Sequence, residues 1–421
     1  MAPRLLVLLS GLIATAATQL TPLPPSQDPF YATPPDYQHA APGEILRIRN
    51  APGNLTASFA NASSVYNILF RTTDTHYEPS YAWTTLFVPK KNANTNTSAL
   101  LSYQIPYNTP DVDAGPSTLL YASGGDLALV DTDIQASLSR GWYVNVPDFE
   151  GPKASFVCGV QAGHATLDSI RAVLGHSFTN RSQPKVALWG YSGGSFASGF
   201  ALELQVQYAP ELGDILAGAA LGGILPNITN ALPNVARNST FAALIPAGLV
   251  GLATQHPQVE AYLASQLRPS GPYNASTFLS VRNMSISEAF VAFAYQDMYN
   301  YFLPLPRNGS ILSAPAIAQP LARDASLGYH GIPTAPMYIY KAVHDEISPV
   351  EDADALVERY CQGGAEVVYE RNGLGGHLAE ESNGDARALE VLQRMLEGRW
   401  VGGREGCVVR DVAVNVTDSA L

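Results

Sequence analysis

The sequence predicts an α/β protein, a mostly parallel sheet with helices on both faces. Three observations carry this. Short β-rich runs give way along the chain to strand–helix alternation. The strands of that alternation read as continuous apolar runs, as strands buried on both faces do. A stretch of about a hundred residues, too apolar for a loop, separates two consecutive strand candidates and marks an insertion. With 46% apolar and 14% charged residues in 421, the chain can bury a sizeable core, and global disorder is excluded.

Arg4 precedes the apolar run Leu5–Ala14, and small residues follow from Ala14 to Thr18. This order is that of a secretory signal peptide, assigned to residues 1–18. The run is too short to span a bilayer, which needs about 20 residues, and no later stretch reads as a transmembrane segment. Thr21–Pro35 is a proline-rich extended arm. Strands are expected over Val65–Thr72, Ala82–Val88, Leu100–Ile105 and Trp142–Val146. The helix His164–Leu174 sets Leu167, Ile170 and Leu174 on one face. Strand Val186–Trp189, helix Ala201–Tyr208 and strand Ala217–Leu221 follow. The interval from Pro226 to Gly331 contains FAALIPAGLVGLA (Phe241–Ala253) and AFVAFAYQDMYNYFLPL (Ala289–Leu305), read as helices of a cap over the sheet's C-terminal edge. Strand Met337–Val343, helix Pro349–Cys361, a last strand Glu366–Tyr369 and a last helix Ala386–Leu396 complete the chain. The expected organisation is therefore a core in two parts, 19–225 and 332–421, with a cap or lid over 226–331. Right-handed crossovers bring the parallel strands' C-terminal ends to one edge, where sites form.

Twenty-four basic residues against 36 acidic ones give a net charge of −12 and argue against a nucleic-acid partner. Ten N-x-S/T sequons, at Asn54, Asn61, Asn96, Asn180, Asn227, Asn238, Asn274, Asn283, Asn308 and Asn415, suit a secreted glycoprotein. In an oxidising compartment Cys361 and Cys407 are expected to form a disulfide, leaving Cys158 as a buried free thiol. Three cysteines with no CxxC pair argue against structural zinc, and neither metal nor cofactor is expected.

The chemistry is concentrated in three places. Gly190-Tyr191-Ser192-Gly193-Gly194 stands between a strand and a helix, where G-x-S-x-G forms a nucleophile elbow. The flanking glycines permit the tight turn, and the helix N-terminus stabilises negative charge. A serine hydroxyl needs an oriented base. Asp345, just past strand Met337–Val343, is the favoured acid over Glu346, Asp352 and Asp354. His377, on the glycine-rich run Asn372–His377 after the last expected strand, is the favoured base. For the oxyanion, the N–H of Gly193 is one donor. Asp148, at the end of strand Trp142–Val146, is the candidate for the second, through its N–H or a protonated side chain; a strand-end turn is the alternative role.

At these residues the chain resembles the fungal secretory lipase family. The resemblance runs through DPFYATP (Asp28–Pro34), SYQIPY (Ser102–Tyr107), PDFEGPKASFVCG (Pro147–Gly159), LDSIRAV (Leu167–Val173), GYSGG, YAPEL (Tyr208–Leu212), Gly222-Gly223 and HDEISP. It implies an α/β-hydrolase fold with a helical cap, and hydrolysis of triacylglycerols or other carboxylic esters. It also implies nucleophile, acid and base at Ser192, Asp345 and His377, and oxyanion residues at Asp148 and Gly193. The expected protein is a monomeric secreted lipase or carboxylesterase acting on medium-to-long acyl esters, with transient contact at a lipid interface. An acyltransferase using the same acyl-enzyme, a short-chain carboxylesterase, a serine peptidase and a non-catalytic binding module are the rivals.

Overall fold

A single ten-stranded sheet orders its strands β1-β2-β3-β5-β4-β6-β7-β8-β9-β10. They are β1 (Ile45–Asn50), β2 (Ala62–Thr73), β3 (Pro79–Pro89), β4 (Leu100–Gln104), β5 (Tyr143–Pro147), β6 (Val186–Tyr191), β7 (Leu216–Gly222), β8 (Met337–Ala342), β9 (Val367–Asn372) and β10 (Cys407–Val412). This computed structural model describes residues 21–91, 99–122, 128–176, 184–304, 311–400, 402 and 406–416. The expected signal peptide and the sequons at Asn96, Asn180 and Asn308 lie outside the described residues. From β1 to β5 neighbouring strands pair antiparallel, and from β5 to β10 they pair parallel. Every residue of β4, β6 and β8 is buried, which accounts for their largely apolar sequences, and Ser102, Gln104 and Lys341 are buried among them.

The helices Gly159–Gly175 and Gly193–Tyr208 cover one face, packing Leu167, Ile170 and Phe200 into the larger core. Ala128–Ser139 and His377–Leu396 cover the other, where Ile134 and Leu392 meet Trp189 and Tyr340. This is the α/β-hydrolase fold. No helix among the described residues is long and apolar enough to cross a membrane.

Two edge strands depart from the expectation. β1 was not foreseen. β10 follows the strand expected to be last and pairs parallel with β9, Cys407 opposite Val367. The disulfide Cys361–Cys407 joins this edge strand to the helix Val350–Gln362 across a separation of 46 residues. Cys158 is free and buried.

Between β7 and β8 the described chain is helical and irregular, with helices Ile228–Val235, Leu244–Ala253, Pro257–Gln266, Ala275–Leu279, Ile286–Phe293 and Pro315–Asp324. Leu244–Ala253 is buried at every residue, as its composition required. The run from Ala289 does not continue as one helix. It stops at Phe293, Tyr295 turns to φ +60°, and Asp297 caps a short 3-10 turn, Met298–Tyr301. The stems of the insertion pair with each other: Ile228 N–H donates to Ala325 O at 3.0 Å and Leu327 N–H to Pro226 O at 2.8 Å. The buried Glu203 carboxylate clamps the exit stem, accepting from Gly328 N–H at 2.5 Å, His330 N–H at 2.9 Å and the Tyr360 hydroxyl at 2.5 Å.

A disulfide stabilises chiefly by restricting the unfolded chain. The double variant Cys361→Ser/Cys407→Ser is expected to lose about 2–4 kcal/mol in urea unfolding. Reductant should lower the wild type to the variant's level and leave the variant unchanged.

Candidate active site

Ser192 sits at the turn from β6 into the helix Gly193–Tyr208 with φ +50°, a conformation that side chains bearing Cβ rarely adopt. The turn is held by close backbone approach. A Cβ on Gly190 would strike the Gly194 carbonyl, and one on Gly194 would strike the Gln104 carbonyl at the end of β4. Ser192 N–H donates to Gly222 O at 2.9 Å, fixing the turn to the next strand.

Three segments far apart in sequence meet at the hydroxyl. His377 Nε2 lies 2.8 Å from Ser192 Oγ, and His377 Nδ1 lies 2.7 Å from Asp345 Oδ2. The histidine does not stay in the loop where it was expected; it is the first residue of the helix His377–Leu396. Its backbone is held twice. Its N–H donates to Glu346 Oε2 at 2.7 Å, and its carbonyl accepts from the Tyr191 hydroxyl at 2.5 Å. Asp345 accepts four hydrogen bonds: from Ile347 N–H at 2.9 Å and Ser348 N–H at 2.8 Å on Oδ1, and from His377 and Lys341 on Oδ2. Burial would raise its pKa. The hydrogen bond and charge of His377, with those of Lys341, outweigh burial and hold the carboxyl well below the usual range. The competing acids do other work. Glu346 braces the His377 backbone, Asp352 accepts from Asn230 of the cap at 2.9 Å, and Asp354 lies 3.5 Å from Arg371.

The structure engages Asp148, expected as an oxyanion residue, elsewhere. Asp148 N–H is committed to Trp83 O at 3.0 Å, and the carboxylate accepts from Ser117 N–H at 3.1 and 3.2 Å and Ser117 Oγ at 2.9 Å. Asp148 lines neither cavity beside the serine. Burial pushes its pKa up to about 7 against the opposing Ser117 bonds. The residue that does meet Gly193 is Asn108, just after β4. Its φ is +45°, its side-chain oxygen is buried without a hydrogen-bond partner, and a Cβ on Gly193 would collide with that oxygen. Neither Asn108 N–H nor Gly193 N–H has an acceptor among the described residues, and Asn108 lines both cavities with Ser192. The reason is strand order: β4, not β5, lies against β6. Asn after Ile-Pro-Tyr at a strand end was the available signal, because Asn tolerates positive φ.

The two cavities differ greatly. A pocket of about 30 Å³ touches Ser192 and Gly193 and is closed by Phe156, Phe196, Leu232 and Leu244. A chamber of about 520 Å³ touches Ser192 and His377 and is walled by Tyr107, Phe241, Ile286, Phe290 and Leu378, with Glu381 at its side. Away from both, Cys158, His256 and Asp324 place one metal-ligand atom each within 4.8 Å in the buried seam between cap and core. There Asp324 already hydrogen-bonds His256 Nε2 and Thr75 Oγ1, each at 2.5 Å.

The profile of the secretory lipase family matches residues 123–403. The chain belongs to the secretory lipase family. It is 44% identical to a trichothecene C-3 esterase of Fusarium sporotrichioides, over 97% of this chain and 92% of that protein. It is 36% identical to lipase A of Arthroderma benhamiae, over 92% and 83%. The structure of Candida antarctica lipase A superposes with a TM-score of 0.81 at 27% identity, covering 93% of this chain and 90% of that one. Like these relatives, this family member is a carboxylic ester hydrolase.

Two outcomes follow from the geometry. Gly193→Ala must displace the Asn108 side chain, and kcat/KM is expected to fall by about 10²–10³ with the melting temperature little changed. Asp148, its pKa raised by burial, contributes stability that is full below the ordinary carboxylate range and is lost as pH rises through about 7. Thermal unfolding from about pH 5 to pH 8 should therefore cost wild type more than Asp148→Asn, and the variant should keep its activity to within about tenfold.

Proposed function

We propose that this enzyme is a secreted serine carboxylesterase that removes a short acyl group from a bulky, largely apolar alcohol. The observation that carries the catalytic reading is the unbroken chain Ser192 Oγ–His377 Nε2–Nδ1–Asp345 Oδ2, with links of 2.8 and 2.7 Å. Ser192 attacks the ester carbonyl while His377 takes its proton and Asp345 orients and stabilises the imidazolium. The N–H groups of Gly193 and Asn108 receive the oxyanion. His377 then protonates the departing alcohol, and water repeats the sequence on the acyl-enzyme.

The substrate reading rests on the unequal cavities. The alcohol must leave past His377, which protonates it, so the 520 Å³ chamber lined by His377 is the alcohol side. The 30 Å³ pocket at Gly193 is the acyl side, with room for about one or two water-sized groups. This favours a short acyl chain over the medium-to-long chain expected from the apolar cap. The chamber lies in the range of about 300–1,000 Å³ that suits drug-sized molecules. A relative named for a trichothecene C-3 esterase supports an ester of that class as the substrate.

A second reading, triacylglycerol lipase, is favoured by one surface feature. Val291 and Tyr295, next to the chamber-lining Phe290, and Leu378 at the chamber wall are 85%, 65% and 60% exposed, an apolar rim suited to a lipid interface.

A panel of acetyl to decanoyl esters of one alcohol separates the readings. kcat/KM is expected to fall steeply beyond butanoyl, and all activity should vanish in Ser192→Ala. A preference for decanoyl esters with a jump in rate on emulsified triacylglycerol would favour the lipase. Of the sequons, Asn54, Asn238 and Asn283 are exposed. Glycan removal should lower the apparent mass of the exported protein, and peptide mass spectrometry should find these three occupied.

A further inference from the structure

The chain has five lysines. Lys90, Lys91, Lys153 and Lys185 are exposed, and Lys341 is sealed inside with no side-chain surface open to solvent. It lies on β8, four residues before Asp345. Its Nζ donates to Asp345 Oδ2 at 2.8 Å and to Ile224 O at 3.1 Å. The same Oδ2 lies 2.7 Å from His377 Nδ1. One carboxylate oxygen is thus shared between an ammonium and the imidazole.

We propose that Lys341 is a positioning residue whose charge, acting through Asp345, keeps His377 available as a base in acidic surroundings. The inference rests on the triad reading above. In the resting cluster the Lys341 ammonium and the Asp345 carboxylate neutralise each other. Protonating the ring adds a second positive charge beside the same carboxylate, in an interior where charges interact strongly. Without the ammonium, Asp345 would hold the imidazolium unopposed, and the base would be lost at higher pH. Stability does not explain the lysine, because burying an ion pair is costly and an apolar side chain of similar volume commonly serves a core as well or better. Burial pushes the Lys341 pKa down; Asp345 opposes this, with Asp352 and Asp354 of the helix Val350–Gln362 adding to it. The other groups facing the pair are acidic or phenolic: Glu346 at the His377 N–H, Glu381 one turn along the helix from His377, and Tyr191 from β6. Both carboxylates favour an imidazolium, and Lys341 supplies the opposing charge.

The test is the pH profile of kcat/KM for phenyl acetate, which reports ionisations of the free enzyme. Lys341→Met removes charge and hydrogen bond, Lys341→Gln removes the charge alone, and Lys341→Arg keeps the charge. The acid limb of the Met and Gln variants is expected to move about one unit to higher pH, a loss of about tenfold on that limb, while Arg stays near wild type. A Gln variant with the wild-type profile, or a Met variant lowered uniformly with its midpoint unmoved, overturns the proposal. If Met or Arg does not fold by circular dichroism, the Gln profile decides. Labelling by a fluorophosphonate, lost in Ser192→Ala, tests the triad separately, so labelled protein with unmoved profiles fails this proposal alone.

Discussion

The site depends on one steric constraint, the approach of the elbow backbone to the end of β4. Ser192 can hold φ +50° because Gly190 and Gly194 leave room for carbonyl groups where side chains would stand. Such strain costs about 1–3 kcal/mol and persists only where surroundings over-determine it. Here they do: β6 is buried on both faces, Ser192 N–H is tied to β7, and the helix below starts at Gly193. The same approach brings the loop after β4 against the nucleophile. Serine, helix N-terminus and Asn108 are therefore positioned by a single packing event, and each of the three would shift if either glycine carried a side chain.

This constraint also explains what could be read in the sequence. That Ser192, Asp345 and His377 would meet was legible because each sits at a local event: glycines around a serine between strand and helix, an aspartate just past an apolar strand, a histidine after a glycine-rich run. Their order along the chain then matched a parallel sheet whose strand ends share an edge. The approach of Asn108 to Gly193 was not legible by the same means. It depends on which strand lies beside β6, and β4 and β5 exchange places relative to their sequence order. Asp148 was the reasonable strand-end candidate for a sheet in sequence order. The edge strands failed for a different reason. β1 reads ILRIRN and β10 reads CVVRDV, short and charged, with no buried residue in either, so neither gives the apolar run that marks a central strand.

Electrostatically the Ser192–His377–Asp345 cluster is embedded in acid. Glu346 touches the histidine backbone and Glu381 lies one turn beyond it, while the chain carries a net charge of −12. Such a field favours positive charge on the imidazole. Lys341, drawn from a set of only five, is the cation that meets Asp345 from within the sheet. Placing it on the strand, not on a mobile loop, keeps its distance to the carboxylate fixed. The acid-bearing loop and the strand before it thus act as one unit, with Ile347 and Ser348 donating to one oxygen of Asp345 and Lys341 to the other.

The helical segment between β7 and β8 divides by the same logic. Its stems pair with each other, its exit is clamped by Glu203, and Asp324 at its base bonds Thr75 of the core and His256. Leu232 and Leu244, which close the small pocket, belong to helices packed into this fixed portion, one of them buried throughout. Ile286 and Phe290, which wall the large chamber, belong to a helix whose Val291 stands 85% exposed. A tightly packed wall excludes an extra methylene at a cost of about 1–3 kcal/mol, whereas an outward-facing helix has room to yield. The small pocket should accordingly be the less adaptable of the two cavities. The two cavities can therefore change independently: refilling or emptying the small pocket between Leu232 and Leu244 leaves the contacts of Ser192, His377 and Asp345 untouched.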